Sequence, residues 1–344
     1  AAQSRRLTAR WTHLALSNAP VARSSHCVSA IGGKAYLFGG EAKARHAIDS
    51  VVHRLDVQER AWTPLAPQQG AVAPTPRVGH AQCTVRDKLI VFGGRVGVDM
   101  GEGNLNDTWA FDVASGEWTP IEASDGTPPC PRSFHRAAAV GDKMYVFGGC
   151  GAEGRLADLH EFDFLTRRWS ALPRAPSDVT GRGGATFEAS TNERALWMCA
   201  GFAGYETNDL LQFELDNGAW QREPSSWLRP RSVCASWSFA HPSGPALMLF
   251  GGEVSPSDHG HEGAGGFASD LIAVDATSGE PLLLDVEGDS GSVPAARGWA
   301  AAAALSPTEG VLVAGLSGDD DAPVRLDDAW LLSVGEPMAY SRMF

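Results

Sequence analysis

Met144-Tyr145-Val146-Phe147-Gly148-Gly149 is a run of four apolar residues closed by two glycines. It is not alone in the chain. The runs AYLFGG at 35–40 and LIVFGG at 89–94 precede it, and LWMCAG at 196–201, LMLFGG at 247–252 and VLVAG at 311–315 follow it. A short apolar run bounded by turn residues reads as a buried strand. Copies spaced by about 50 to 60 residues indicate a repeat architecture rather than a string of unrelated domains.

Each copy has the same surroundings. Before it comes a strand of small residues that opens with an arginine and a histidine three on: Arg23/His26, Arg77/His80 and Arg132/His135, with relics at Arg182, Arg231 and Arg297. After it comes an aspartate-led strand, as in DTWAFD at 107–112 or DLHEFD at 158–163, and then a tryptophan strand at Trp62, Trp118, Trp169 or Trp220. That makes four strands per repeat, the content of a propeller blade, at a Kelch-type period. The expected fold is all-β: a six-bladed Kelch-type β-propeller over residues 1–335, with 336–344 as a tail or tag remnant. The last repeat lacks a tryptophan strand, whereas the N-terminus offers one without a blade (ARWTHL, with Trp11). Trp11 is therefore expected to complete the last blade and remove an exposed sheet edge. Most of the Arg-x-x-His pairs recur at one register and read as structural, with the histidine bonded between blades.

Of 344 residues, 39 are Gly and 21 Pro, which favours many turns and short strands. The net charge of −13 argues against nucleic acid or an anionic membrane as partner, since both select a basic stripe. A few arginines in one pocket can still outweigh the global sign. The six cysteines form no C-x-x-C pair, and several sit in apolar strand-like runs. They suggest a reducing compartment, hence a cytoplasmic location, and no disulfide framework. No window approaches the length of a membrane span or a signal peptide. The first residue is not Met, which leaves room for an upstream segment.

Repeat residues are accounted for by packing, so function is sought where the repeat breaks. The loop at 251–266 does so: Glu253, Asp258, His259, His261 and Glu262 crowd into a Gly- and Pro-rich stretch. Carboxylates with imidazole suit iron(II), manganese or zinc. The alternative is a solvated polar loop whose acids cap turns.

Nearly the whole chain resembles the plant specifier proteins, the nitrile-specifier, epithiospecifier and thiocyanate-forming proteins. The resemblance is carried by ARSSH at 22–26, FGGR at 92–95, RSFH at 132–135, RGGATF at 182–187, GFAGYETND at 201–209, FGGEV at 250–254, RGW at 297–299 and DDAWLL at 327–332. It implies a Kelch propeller acting as a metal-dependent lyase-like protein on the unstable aglucone of glucosinolates. It implies an iron(II) site built from Glu253, an acid near 257 and His261. Ser257 stands at the middle position and Asp258 lies one residue on. Either loop slip brings Asp258 to the metal, or His259 substitutes, or the third ligand is lost. The resemblance also assigns the substrate site to Arg95, Phe134 and Arg155. The two arginines would hold the sulfate of an anionic sulfur compound, as guanidinium forks do. Iron would act at the thiolate sulfur, giving a nitrile in place of the spontaneous isothiocyanate. Glu253, Arg95 and Arg155 are the catalytic candidates. Two other readings stand beside this one: a relative that keeps the pocket for another substrate, and a non-catalytic module whose loops bind a protein partner.

Overall fold

The structure, a computed structural model, describes residues 6–99, 102–242 and 244–335. The tail expected at 336–344 lies outside the described residues. The fold is an all-β propeller, and its only helical pieces among the described residues are two short 3-10 turns. No described helix is long and apolar enough to cross a membrane.

Four repeats form separate four-stranded antiparallel sheets. The third is representative: Arg136–Val140, Lys143–Gly151, Gly154–Asp163 and Arg168–Leu172, in that order from the inside out. Glu41–Lys43 pairs with His46–Ala47, and Glu253–Ser255 with Gly266–Phe267, as two-stranded ribbons, and the other strands form one eight-stranded sheet. Its order is Ala235–Phe239, Ala246–Phe250, Leu271–Asp275, Pro281–Gly288, Arg6–His13, Val324–Gly335, Glu309–Ser317 and Ala301–Ser306. The N-terminal strand lies in its middle. It runs antiparallel to Val324–Gly335, with Trp11 opposite Leu332, and parallel to Pro281–Gly288, with Trp11 opposite Gly288. The first and last segments of the chain are thus neighbours, as the unpaired tryptophan strand suggested. Trp11 is 1% exposed and meets Phe250 edge-on, with ring centroids 5.4 Å apart.

Two cycles of backbone hydrogen bonds close around the axis. In one, the second glycine of each pair, or its counterpart, donates to the arginine carbonyl of the next repeat: Gly40 to Arg77, Gly94 to Arg132, Gly149 to Arg182, Gly201 to Arg231, Gly252 to Arg297 and Gly315 back to Arg23. In the other, the residue two after each arginine donates to its counterpart in the preceding repeat: Gly79 to Ser25, Phe134 to Gly79, Gly184 to Phe134, Val233 to Gly184, Trp299 to Val233 and Ser25 to Trp299. The glycines are needed for this close approach. At Gly149, with φ +98°, an added Cβ would lie 2.7 Å from the Ser133 carbonyl oxygen.

Arg182, Arg231 and Arg297 are full members of the pattern rather than relics; only the histidine is lost in their repeats. All six arginines are buried. Each donates through Nε to the carbonyl two residues back, and through Nη1 to the carbonyl of the first residue of its own glycine pair or the alanine replacing it. Five also pair with the aspartate of the third strand: Asp107, Asp158, Asp209, Asp270 and Asp328. His135 is bonded between repeats as expected: its Nε2 lies 3.0 Å from the Phe92 carbonyl of the preceding repeat, and burial, then the charge of Arg132, pushes its pKa down to about 3. His80 is equally buried but has no hydrogen-bond partner on either ring nitrogen.

This packing yields three stability predictions. Trp11→Ala should lower unfolding free energy by about 3–5 kcal/mol, the usual cost of emptying a large aromatic site, measured by urea denaturation. Arg132→Ala removes both guanidinium hydrogen bonds to the Asp158 carboxylate and should cost about 3–5 kcal/mol. Burial opposes ionisation of Asp158, but hydrogen bonds from Arg132 and His160 outweigh it and hold its pKa below the ordinary range. The contribution of this carboxylate is therefore present above about pH 4 and lost as pH falls through the folded pKa. Asp158→Asn should be less stable than wild type at neutral pH, and the gap should close below about pH 4 in urea titrations across that range.

Candidate functional site

Two positions in every repeat face the axis above the inner hydrogen-bond cycle. The first follows the glycine pair: Glu41, Arg95, Cys150, Phe202, Glu253 and Leu316. Each forms an isolated bridge with the residue just after an arginine, as Arg95 does with Val78 and Glu253 with Ser232. The second lies two after the arginine: Ser25, Gly79, Phe134, Gly184, Val233 and Trp299. All six hold φ between +48° and +60°. For the four that are not glycine this costs about 1–2 kcal/mol each, and the inner cycle that they build holds them there.

The two registers converge on one cavity of about 310 Å³. Arg95, Phe134, Arg155 and Glu253, all nominated from sequence, line it together. Arg95 is buried, with its guanidinium 5.3 Å from the Phe134 ring centroid. Its Nη1 donates to the Asp99 carbonyl at 3.2 Å, and its Nε has no partner. Burial lowers its pKa, partly offset by the Glu41 carboxylate. Arg155 lies opposite Cys150 on the neighbouring strand and stacks on Phe202, 4.7 Å from the ring centroid. Both guanidiniums thus lie over aromatic rings within cation–π distance. Gly79 makes room for this: a Cβ there would stand 3.1 Å from the Phe134 ring.

Glu253 is 6% exposed. Burial, then the nearby Glu206 carboxyl, pushes its pKa up to about 7, partly offset by backbone N–H groups of Ser257 and Gly265. The structure separates the other candidates of its loop. Ser257 lines the cavity, but its hydroxyl donates to Asp320. Asp258 is exposed, donates its N–H to Asp320 at 2.9 Å, and faces an outer cleft shared with Asp319, Asp320 and Asp321. The slip that would bring Asp258 to Glu253 does not occur, because Asp320 of the next repeat fastens this turn from outside. His259 is exposed as well. The side chain of His261 lies outside the described residues. Among the described residues no group of three His, Cys, Asp or Glu side chains is arranged to hold a metal ion.

Several lining residues were not singled out from sequence. Phe202, Cys150 and Trp299 occupy the same registers as Arg95 and Phe134, so the register itself was the available signal. Arg45 also lines the cavity, from the loop after the first glycine pair, and sits 3.9 Å from Glu262 of the fifth-repeat loop. Nothing in local spacing marks Arg45. All six cysteines are free.

Known proteins place this geometry in context. The chain is 29% identical over 324 residues to an N-(sulfonatooxy)prop-2-enimidothioate sulfolyase of Thlaspi arvense, covering 86% of this chain and 88% of that protein. That relative is a specifier protein, so the resemblance drawn from the motifs holds at the level of sequence. The chain is also 32% identical over 176 residues to Kelch domain-containing protein 3 of Homo sapiens, covering 47% of this chain and 44% of that protein. Residues 25–252 match the KLHDC2/KLHL20/DRC7 Kelch-repeats domain, and the chain belongs to this Kelch family.

Proposed function

We propose that the chain is a six-bladed ring whose cavity takes a small organic anion, and that it directs the breakdown of an anionic sulfur compound in the manner of a specifier protein. In this reading each half of the eight-stranded sheet is one blade. The observation that carries the function is the convergence of Arg45, Arg95 and Arg155 on one cavity in a chain of net charge −13. Guanidiniums stacked on aromatics and shielded from bulk water are suited to a sulfate or other oxyanion. The relative's name describes a lyase acting on a sulfonatooxy compound, which is such an anion.

For a substrate of that class, Arg95 and Arg155 hold the sulfate group. As it departs with the bonding electron pair, its negative charge grows where the guanidiniums already point, so they stabilise the transition state more than the ground state. Phe134, Phe202 and Trp299 exclude water and bound the organic part. Glu253 faces the same space and suits a hard divalent ion such as iron(II). When bound, iron(II) would supply Lewis-acid or redox chemistry to the substrate's sulfur.

The Kelch match favours a second reading, in which the loops around the cavity bind a protein partner without chemistry. Two titrations separate them. Phenyl sulfate should bind the wild type, and Arg95→Ala and Arg155→Ala should each weaken it at least about tenfold, or 1.4 kcal/mol. Anaerobic iron(II) should bind one per chain, with the site lost in Glu253→Ala and in His261→Ala. Binding of neither probe would leave the interaction reading in front.

A further inference from the structure

The axis carries a second cavity, of about 280 Å³, on the side of the inner hydrogen-bond cycle away from the anion cavity. The inner strand of every repeat contributes to its wall. A chamber of about 30 Å³ lies between the two cavities. It shares Phe134 and Trp299 with the anion cavity, and Cys27 and Arg136 with the second one. The reading above uses nothing on this side of the ring.

Arg136 stands at the inner end of the second cavity. It belongs to the third repeat, yet its Nε donates to the Ala185 carbonyl of the fourth at 3.1 Å and its Nη2 to the Cys234 carbonyl of the fifth at 3.4 Å. The guanidinium therefore spans the channel and is fixed there by backbone. Five of the six repeated arginines are paired with an aspartate, but Arg136 makes no ion pair among the described residues. Its Nη1 makes no hydrogen bond among them either, and is not sealed from solvent. Glu188 lines the same cavity from the fourth repeat. Its Oε1 accepts from the Ser236 hydroxyl at 2.7 Å, and this is its one hydrogen bond among the described residues. Burial raises its pKa, partly offset by the Ser236 hydroxyl and the charge of Arg136. The two opposite charges thus feel each other across the cavity without forming a pair.

A guanidinium in a walled space loses solvation that only an anion or water returns. The two carbonyl anchors hold Arg136 back from Glu188, so a donor and an acceptor stand apart across one cavity. We propose that this cavity binds a small zwitterion of the α-amino acid class, with its carboxylate on Arg136 and its ammonium on Glu188. A guanidinium takes a carboxylate through charge-assisted N–H bonds, and a carboxylate accepts from an ammonium. A ligand with negative charge alone would be repelled by Glu188, and one with positive charge alone by Arg136, so the pair selects against both. The volume lies at the small end for ligand pockets and suits a ligand of few heavy atoms. This site stands apart from the anion cavity and does not depend on its reading.

L-Serine is the probe, titrated calorimetrically beside acetate and ethanolamine, which carry one charge each. Wild type should bind one L-serine per chain, at least about tenfold more tightly than either. Arg136→Gln and Glu188→Gln should each weaken L-serine at least about tenfold, and Glu188→Gln should bind acetate no more weakly than wild type does. Arg95→Ala should bind L-serine as wild type does. Phenyl sulfate, which tests the anion cavity alone, should bind both new variants as it binds wild type. If Arg136→Gln fails to fold, Glu188→Gln, which preserves shape, decides the matter by itself. L-Serine bound equally by Glu188→Gln and wild type, lost in Arg95→Ala, or held no better than acetate would overturn the proposal. So would absence of binding by the wild type, which would leave the cavity to water.

Discussion

The ring depends on a buried arginine repeated six times. Its side chain ties the segment leading to the inner strand to the glycine pair of the second strand and, in five repeats, to the aspartate of the third. Its own carbonyl accepts the glycine N–H of the preceding repeat. One residue therefore organises a sheet through its side chain and docks the neighbouring sheet through its backbone. Burying a guanidinium is expensive, and the arrangement is stable only because nearly every donor is satisfied. Arg23 departs from the rule. It has no fork to a carboxylate, its Nη2 is unpartnered, and burial lowers its pKa with only partial compensation from Asp49.

The same lattice builds the site. Because each arginine is held from three sides, the two residues after it have little freedom. The second of them is bent into left-handed backbone. Most repeats spend these positions on glycine, serine or small apolar residues. Phe134 and Trp299 are the large exceptions, and both line the cavity. The residues after the glycine pairs vary in the same way, from Glu41 through Arg95 to Glu253. Glu41 shows that an acid at this register need not serve the cavity. It is 1% exposed and occupied by the hydroxyls of Ser24 and Ser25 and by Arg325.

Charge is divided within the molecule. The surface is strongly acidic, whereas the cavity gathers three guanidiniums and only Glu253 among carboxylates. That division of charge is what the proposed anion site rests on.

Much of this was present in the sequence. Period, strand count per repeat, the glycine pairs and the spare tryptophan strand at Trp11 are local patterns, and local patterns reflect packing that every repeat must solve alike. Arg95, Phe134, Arg155 and Glu253 were legible for a related reason, since each sits at or near a repeat position in a motif shared with the specifier proteins. Tertiary structure decided the rest. It turned Asp258 outward, because Asp320, some sixty residues away, fastens the loop from the next repeat. It brought Glu206 to Glu253 and Arg45 to the cavity rim across neighbouring repeats. Such contacts join loops that differ in length from repeat to repeat. Linear spacing cannot encode them, because they exist only once the ring has closed.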